Sequence, residues 1–339
     1  MRQRKNILLF IIFAFSVVAV FFLQLILGSV SIPFSDIVSI LIHNTSSSEA
    51  WKNIVLESRL PAALAALLAG AGLSVSGLQM QTMFRNPVAG PYVLGISAGA
   101  SFGVAVFILA ASAFGVGHMH LLSSWSIIIA AALGAVLIFV INFLISFRLN
   151  DVVSILIIGL MIGGGISALI EILQSFSSNE ALKNYMLWTF GSFRYVDTSQ
   201  IIFLAFAVIF GVVFSFFLSK PLNLLLLGDT YATSAGLNIR TAKILIVLCT
   251  SLLAGSITAF CGPIGFVGLA VPHIARAVFK TSDHKILTPA CVLLGAFTCG
   301  LCNVIASTPG SDNILPVNAI TSLLGAPVVI WIILRQRKM

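Results

Sequence analysis

The stretch GPIGFVGLAVPHIAR, Gly262–Arg276, interrupts a chain that is otherwise almost continuous hydrocarbon. Three glycines, two prolines, a histidine and an arginine stand between runs of Leu, Ile, Val, Ala and Phe. Gly262, Gly265 and Gly268 recur every third residue, a spacing that lets a neighbouring backbone come close. Pro263 suits the first turn of a helix, where its missing N–H costs nothing. Pro272 removes a later hydrogen bond and predicts a kink. Irregular backbone survives at membrane depth only when protein or a wet cavity surrounds it. In a membrane protein, the stretch therefore predicts a short, bent, protein-enclosed helix beside a pathway.

Composition supplies that condition. Of 339 residues, 59% are hydrophobic and 8% charged, with a mean hydropathy of +1.12. Soluble domains carry about 25% charged residues, so this chain could not cover its own surface in water. The expected fold class is all-α, a polytopic membrane protein. The formal charge of +8 then reports Lys and Arg in cytoplasmic loops rather than a nucleic-acid surface. Cys249, Cys261, Cys291, Cys299 and Cys302 lie in or beside apolar runs, and the CGLC spacing at 299–302 reads as small packing residues in a helix. The N-terminal MRQRK is followed by an apolar run of about 22 residues, longer than a signal-peptide core and read as a retained first span.

Ten spans are expected, near 7–28, 60–83, 92–114, 125–147, 152–173, 200–218, 243–261, 263–279, 286–306 and 315–334. With both termini in the cytoplasm, only Lys52, Arg59, Lys183 and Arg194 fall outside, and the remaining Lys and Arg fall inside. That asymmetry satisfies the positive-inside rule and would be lost if one span were miscounted. Outside, residues 29–58 and 177–199 are long enough to fold on the surface. The second is expected to hold a short helix with Tyr185 and Trp188 at headgroup depth. Inside, residues 219–243 form an apolar loop that Pro221, Gly228 and Gly236 break into two short helices. It fits either a protein partner or the membrane surface.

Few polar groups lie within the spans. Glu171 is the one carboxylate well inside a span, near its outer end, where it can reach water. His273 and Arg276, three residues apart, share a helix face toward the cytoplasmic end. No carboxylate pair, metal-ligand cluster or nucleophile–base arrangement occurs, so no metal site and no catalytic residue is expected. A phosphate-binding loop is also missing, and none of the eight lysines follows a glycine. Uphill transport would need ATP chemistry on another polypeptide, or an ion gradient acting through a group such as Glu171. GPYVLGISAGA, residues 90–100, repeats the Gly-Pro entry and small-residue face (Gly95, Gly99) of the opening stretch, as an inverted repeat would place it.

Four ordered blocks resemble the permease subunits of type II ATP-binding-cassette importers for iron–siderophores, haem and vitamin B12, the FecCD/BtuC-like permeases. They are RLPAALAALLAGAGLSVSGLQMQTMFRNPVAGPYVLGISAGA (59–100), LGDTYATSAGLN (227–238), GPIGFVGLAVPHIAR (262–276) and LPVNAITSLLGAPVVIWIIL (315–334). The resemblance covers nearly the whole chain, as a single permease domain of residues 1–339 with coupling helices at 219–243. It implies a homodimer of ten-helix subunits in the bacterial inner membrane. Two ATPase subunits, holding ATP and magnesium, would dock below, and a periplasmic or lipid-anchored binding protein above. This chain itself would bind no cofactor.

By motif, Gly228, Asp229, Ala232 and Gly236 match the coupling helices, which favours a protein partner for that loop. Arg85, Asn86 and Pro87 match a motif at the inner end of span two, joined there by His273 and Arg276. Arg59 matches an outward arginine that pairs with a glutamate of the binding protein. Gly262, Pro263, Gly265, Gly268 and Pro272 belong to the helix-break signature. Three departures stand out: Ala62 replaces a second arginine, Gly90 an acidic residue and Ala235 a leucine. The first shifts docking toward Arg59 with Lys52 or Arg194. Iron–siderophore is the commonest cargo implied, and haem or cobalamin would suit the same small and apolar lining.

Overall fold

The computed structural model describes residues 2–28, 30–46, 48–110, 123–146, 152–307 and 315–336. The predicted outer end of span three beyond Ala110 and the inward charges Arg148, Arg337 and Lys338 lie outside those residues. In chain order the helices are α1 (Arg2–Ile26), α2 (Phe34–His43), α3 (Glu49–Asn53), α4 (Leu60–Met83), α5 (Ile96–Ala105) and α6 (Ser124–Ser146). Then come α7 (Val152–Ser175), α8 (Asn179–Thr189), α9 (Thr198–Phe217), α10 (Ser219–Leu226), α11 (Asp229–Ser234) and α12 (Ile239–Cys261). The last three are α13 (Val267–Phe279), α14 (His284–Ala306) and α15 (Val317–Gln336). No strand occurs among the described residues.

Helices match all ten expected spans. Seven of the helices are long and apolar enough to cross a bilayer, while the helices from Ile96, Val267 and Val317 have shorter apolar lengths. α13, at 13 residues, is about 20 Å long, well short of the roughly 30 Å hydrocarbon core.

α4 is the axis of the bundle, packed by α9, α12, α13 and α14. Its sequence explains why. Ala, Gly and Ser occupy every face, so backbones can close on it from all sides, and nearly the whole helix is buried. Its polar groups are satisfied across helices. Ser74 Oγ donates to the Cys291 carbonyl at 2.6 Å. Gln79 donates to Ser215 Oγ at 2.8 Å and accepts from Thr250 Oγ1 at 2.8 Å. In contrast, α1 and α7 carry exposed apolar side chains along most of their length, including Phe15, Leu160 and Met161.

Both chain ends lie at one end of the bundle. The Phe10 ring of α1 lies tilted against that of Phe279, at 4.8 Å between centroids, whereas α15 begins at the opposite end, where Asn318 N–H donates to the Phe190 carbonyl. At that opposite end, α2, α3 and the tips of α1 and α4 share a small apolar cluster built on Leu25, Ile32, Ile37, Ile40 and Val55. α8 sits there too, within the expected surface segment. Tyr185 and Trp188, expected at headgroup depth, are buried against the protein core. Three residues apart on α8, they share the face that packs inward.

Candidate functional site

At the end of the bundle where α1 starts, the one expected to face inward, α4 stops at Met83 and Arg85 takes a left-handed conformation, φ +46°. That turn aims its guanidinium at the short helices α10 and α11. Nε donates to the Leu225 carbonyl at 3.1 Å, and Nη2 pairs with the Asp229 carboxylate. Lys243 of α12 reaches the other Asp229 oxygen at 3.2 Å. Asp229 opens α11, where a carboxylate favours the helix dipole. The residue before it, Gly228, has φ +110°, a value that a residue with a Cβ adopts only under strain. Ala232 is fully buried and Gly236 ends the helix at φ +83°. Around them Leu226, Leu227 and Tyr231 are exposed, Tyr231 at 72%.

A second layer ties α4 to α13 and α14. His273 Nε2 donates to the Pro87 carbonyl at 2.7 Å. Arg276 donates to Gln81 Oε1 at 2.7 Å, and Gln81 donates on to the Leu269 carbonyl at 3.1 Å. Thr82 Oγ1 and His284 Nε2 are hydrogen-bonded at 2.8 Å, and His284 Nδ1 donates to Asn223 Oδ1 at 2.7 Å. Asn223 of α10 also accepts from the His284 N–H and donates to Asp283 at 2.7 Å. The Asn223 amide and the Lys285 N–H hold the Asp283 carboxyl below the usual carboxylate range. The segment of residues 219–243 is thus fastened to the axis helix by one charged and one neutral bridge.

The opening stretch is enclosed by protein, as irregular backbone at this depth requires. Gly262 to Phe266 is non-helical, and the Gly265 N–H is satisfied by Asn318 Oδ1 at 2.9 Å. Phe266 takes φ +64° and packs on Gly325. Pro263 is therefore not in the first turn of the helix, which begins only at Val267. The left-handed Phe266 delays it. α13 passes through Pro272 without ending. Its start touches α4 where a Cβ on Gly77 would lie 1.8 Å from the Gly268 carbonyl oxygen, so both positions must lack a side chain. Gly77 is six residues before Met83, about 9 Å from that end of α4, so α13 begins partway along α4 rather than at its tip. Pro91 lies against Gly268, and Gly95, in a left-handed turn, starts α5, with Gly99 against the Gly134 carbonyl. The two Gly-Pro breaks therefore meet.

At the outer end, Arg59 does not extend freely into solvent. Its Nη1 donates to the carbonyls of Leu25, at 2.7 Å, and Ile26, at 3.0 Å, and Nη2 to that of Val30. The side chain caps α1. Arg194 is exposed beside it, and Lys52 is half-buried on α3. Among the described residues no group of three His, Cys, Asp or Glu could hold a metal ion, and all five cysteines are free and buried. The arrangement positions helices against one another.

Comparison with known proteins agrees with that reading. The model of the FecCD transport family matches residues 16–335. The chain belongs to the FecCD transport family. It is 34% identical over 313 residues to the hemin transport system permease HmuU of Yersinia pestis, covering 92% of this chain and 91% of that one. The vitamin B12 import permease BtuC of Salmonella typhi is 37% identical over 284 residues, 84% of each chain. A solved ABC transporter, described as of metal-chelate type and inward-facing, superposes with a TM-score of 0.82 at 28% identity, covering 95% of this chain and 98% of that one. This FecCD protein is accordingly a multi-span transport permease of ABC-importer type, not an enzyme, whose family works with ATPase and substrate-binding partners.

Several residues of this permease that matter structurally were not legible. Asn223, Gln81, Thr82 and His284 carry these bridges, yet each is an ordinary polar residue in or at the end of a helix. Phe266 offers no sign of its left-handed turn. Gln24 of α1, paired with Asn303 at 2.7 Å, had one available clue: a glutamine inside an apolar run.

Proposed function

We propose that this permease imports a metal chelate, with ferric siderophore the first candidate and haem or cobalamin the others, delivered by a binding protein and driven by ATP. Two copies of the chain would form the conduit in a bacterial inner membrane, with both termini in the cytoplasm. Two ATPase subunits would hold ATP and magnesium below. The observation that carries the reading is the bridge from Arg85 to Asp229 and Lys243, because it joins the axis helix to the segment whose exposed Leu227 and Tyr231 need a covering partner. The same end gathers Arg4, Lys5, Lys220, Arg240, Arg276, Lys280 and Lys285, which supports a cytoplasmic assignment.

The homodimer has its own support. α7 presents Leu160, Met161, Gly164 and Gly165 outward, and a Cβ on either glycine would meet nothing. That small-residue face suits a second copy. Haem and cobalamin come into consideration through HmuU and BtuC, whose printed names state those cargoes. Membership of an ABC permease family displaces the ion-gradient alternative, and Glu171 sits exposed on α7. Co-purification with a separate ATPase is expected, and bulky replacements at Gly228 and Asp229 should abolish uptake. Uptake at full rate in a strain lacking the ATPase would overturn the proposal. Competition among labelled ferric siderophore, haem and cobalamin identifies the cargo.

A further inference from the structure

The sequence of α7, VVSILIIGLMIGGGISALIEILQS, holds one charged residue, Glu171, four positions before the end that leads to α8. The carboxylate does not stand clear of the apolar surface. Leu169 and Ile172 beside it are half exposed, and Phe176, past the helix end, is 74% exposed. Glu171 is itself exposed, and among the described residues no cation pairs with it. A lone ionised group facing hydrocarbon is costly, and such groups turn toward a bundle interior or toward water. The face of α7 that carries Glu171 is therefore not a lipid face.

That face has a second property. Leu160, Gly164, Ser167 and Glu171 are all exposed and are spaced as one stripe along a helix. A Cβ on Gly164 would meet nothing, so a second copy can close there. Two turns further along, about 10 Å away, the same closure would bring two Glu171 carboxylates together, and like charges oppose it. Two α7 helices that meet at Gly164 consequently part toward Glu171, and the wedge between them is wet and negative at its wide end. On α8, exposed Glu180 and Lys183 are three residues apart and opposite in sign, so they leave that balance unchanged.

We propose that Glu171 from both copies forms the outer mouth of the conduit and selects cargo by charge, passing metal chelates of zero or positive net charge and slowing anionic ones. The inference rests on the proposed import of a metal chelate by two copies of the chain, and it narrows the cargo. A ferric trihydroxamate is uncharged and becomes a cation with a pendant ammonium group, and cobalamin is uncharged. A ferric tris-catecholate is a trianion, and haem carries two carboxylates. The first pair suits this mouth and the second does not, because charge in a cleft of low-dielectric walls acts on whatever enters.

The test uses proteoliposomes holding the permease, its ATPase and its binding protein, supplied with three forms of one ferric trihydroxamate. The free pendant amine, its acetylated form and its succinylated form are cation, neutral and anion on one frame. Cobalamin bearing the same three groups on its ribose replaces them where the parent takes up cobalamin alone. The ratio of cation to anion uptake should fall about threefold to tenfold in Glu171→Gln and further in Glu171→Lys. Each ratio is read against the parent, so the binding protein's own preference cancels. Glu171→Cys should react with a charged, membrane-impermeant thiol reagent, against a background of five buried native cysteines. A ratio unchanged in both charge variants overturns the inference while import stands. Equal losses for all three forms would make Glu171 structural and also overturn it. So would an unreactive Glu171→Cys, which would put the position in lipid, or a parent whose sole cargo is haem or a tris-catecholate. If no chelate accumulates at all, the proposed function fails first.

Discussion

The two ends of this bundle are built on opposite principles. At the inner end nearly every polar group that joins elements already has its partner: Arg85 with Asp229, Gln81 with Arg276, and Asn223 with both His284 and Asp283. At the outer end, donors are left over. Among the described residues the Gln24 Nε2 has no acceptor, and Arg59 and Arg194 line a recess with no described carboxylate. A closed network holds a rigid geometry and can pass a displacement to whatever grips it, because paired groups in low dielectric resist separation. One end is closed by its own pairs, and the other is not.

The largest effect should come from the backbone contact between α4 and α13. Gly77→Val drives side-chain atoms into the Gly268 backbone, which cannot yield as a flexible side chain can. A cost above about 3 kcal/mol is expected, seen as loss of monodisperse protein on fluorescence-detected size exclusion. A well-folded Gly77→Val protein would show that α13 is not seated on α4 as described.

Next is Asn223→Leu, which strands the His284 N–H, the His284 ring and one Asp283 contact together. A loss of about 2–3 kcal/mol in thermal unfolding is expected, with ATP-driven uptake falling alongside. Because α10 would come loose from α14, the inner network should fail as a unit.

Arg85→Ala separates the two roles of the inner end. The pair with Asp229 is half-exposed, so stability should change by less than about 1 kcal/mol. Uptake should still drop by about tenfold, within the range of an ordinary coupling free energy. Equal, small changes in both would reduce the bridge to a surface ion pair. A smaller effect concerns acid. The Asp283 carboxyl titrates below its ordinary value because Asn223 and the Lys285 N–H favour its charged form. Its contribution is therefore complete above the usual Asp range, near pH 4, and disappears as pH falls through the lowered folded value. The melting-temperature difference between the parent and Asp283→Asn should be constant from neutral pH down to about 5 and shrink below about 4.

Much of this fold could be read in advance for one physical reason. A bilayer forces long apolar runs, and the runs around α1, α4, α6, α7, α9, α12 and α14 are unambiguous. The Gly-Pro breaks were visible because glycine and proline punctuate a helix wherever they occur. What escaped depends on tertiary contacts. The helix start slipped from Pro263 to Val267 because Phe266 adopts a left-handed turn against Gly325, and no local residue type signals that. Tyr185 and Trp188 have the chemistry of headgroup anchors, but the face they share packs inward. Arg59 has the sequence position of an outward charge, yet three carbonyls at the end of α1 hold it. In each case periodicity gave the face and packing chose its neighbour.

The central claim is that this conduit is moved by nucleotide hydrolysis on another subunit, delivered through the Arg85–Asp229 bridge. The most direct measurement is accumulation of labelled chelate in proteoliposomes holding the permease, its ATPase and its binding protein. Accumulation should require ATP, persist with ionophores present, and fall sharply in Arg85→Ala. Brisk accumulation without nucleotide, driven by a proton or sodium gradient and indifferent to Arg85, would contradict it.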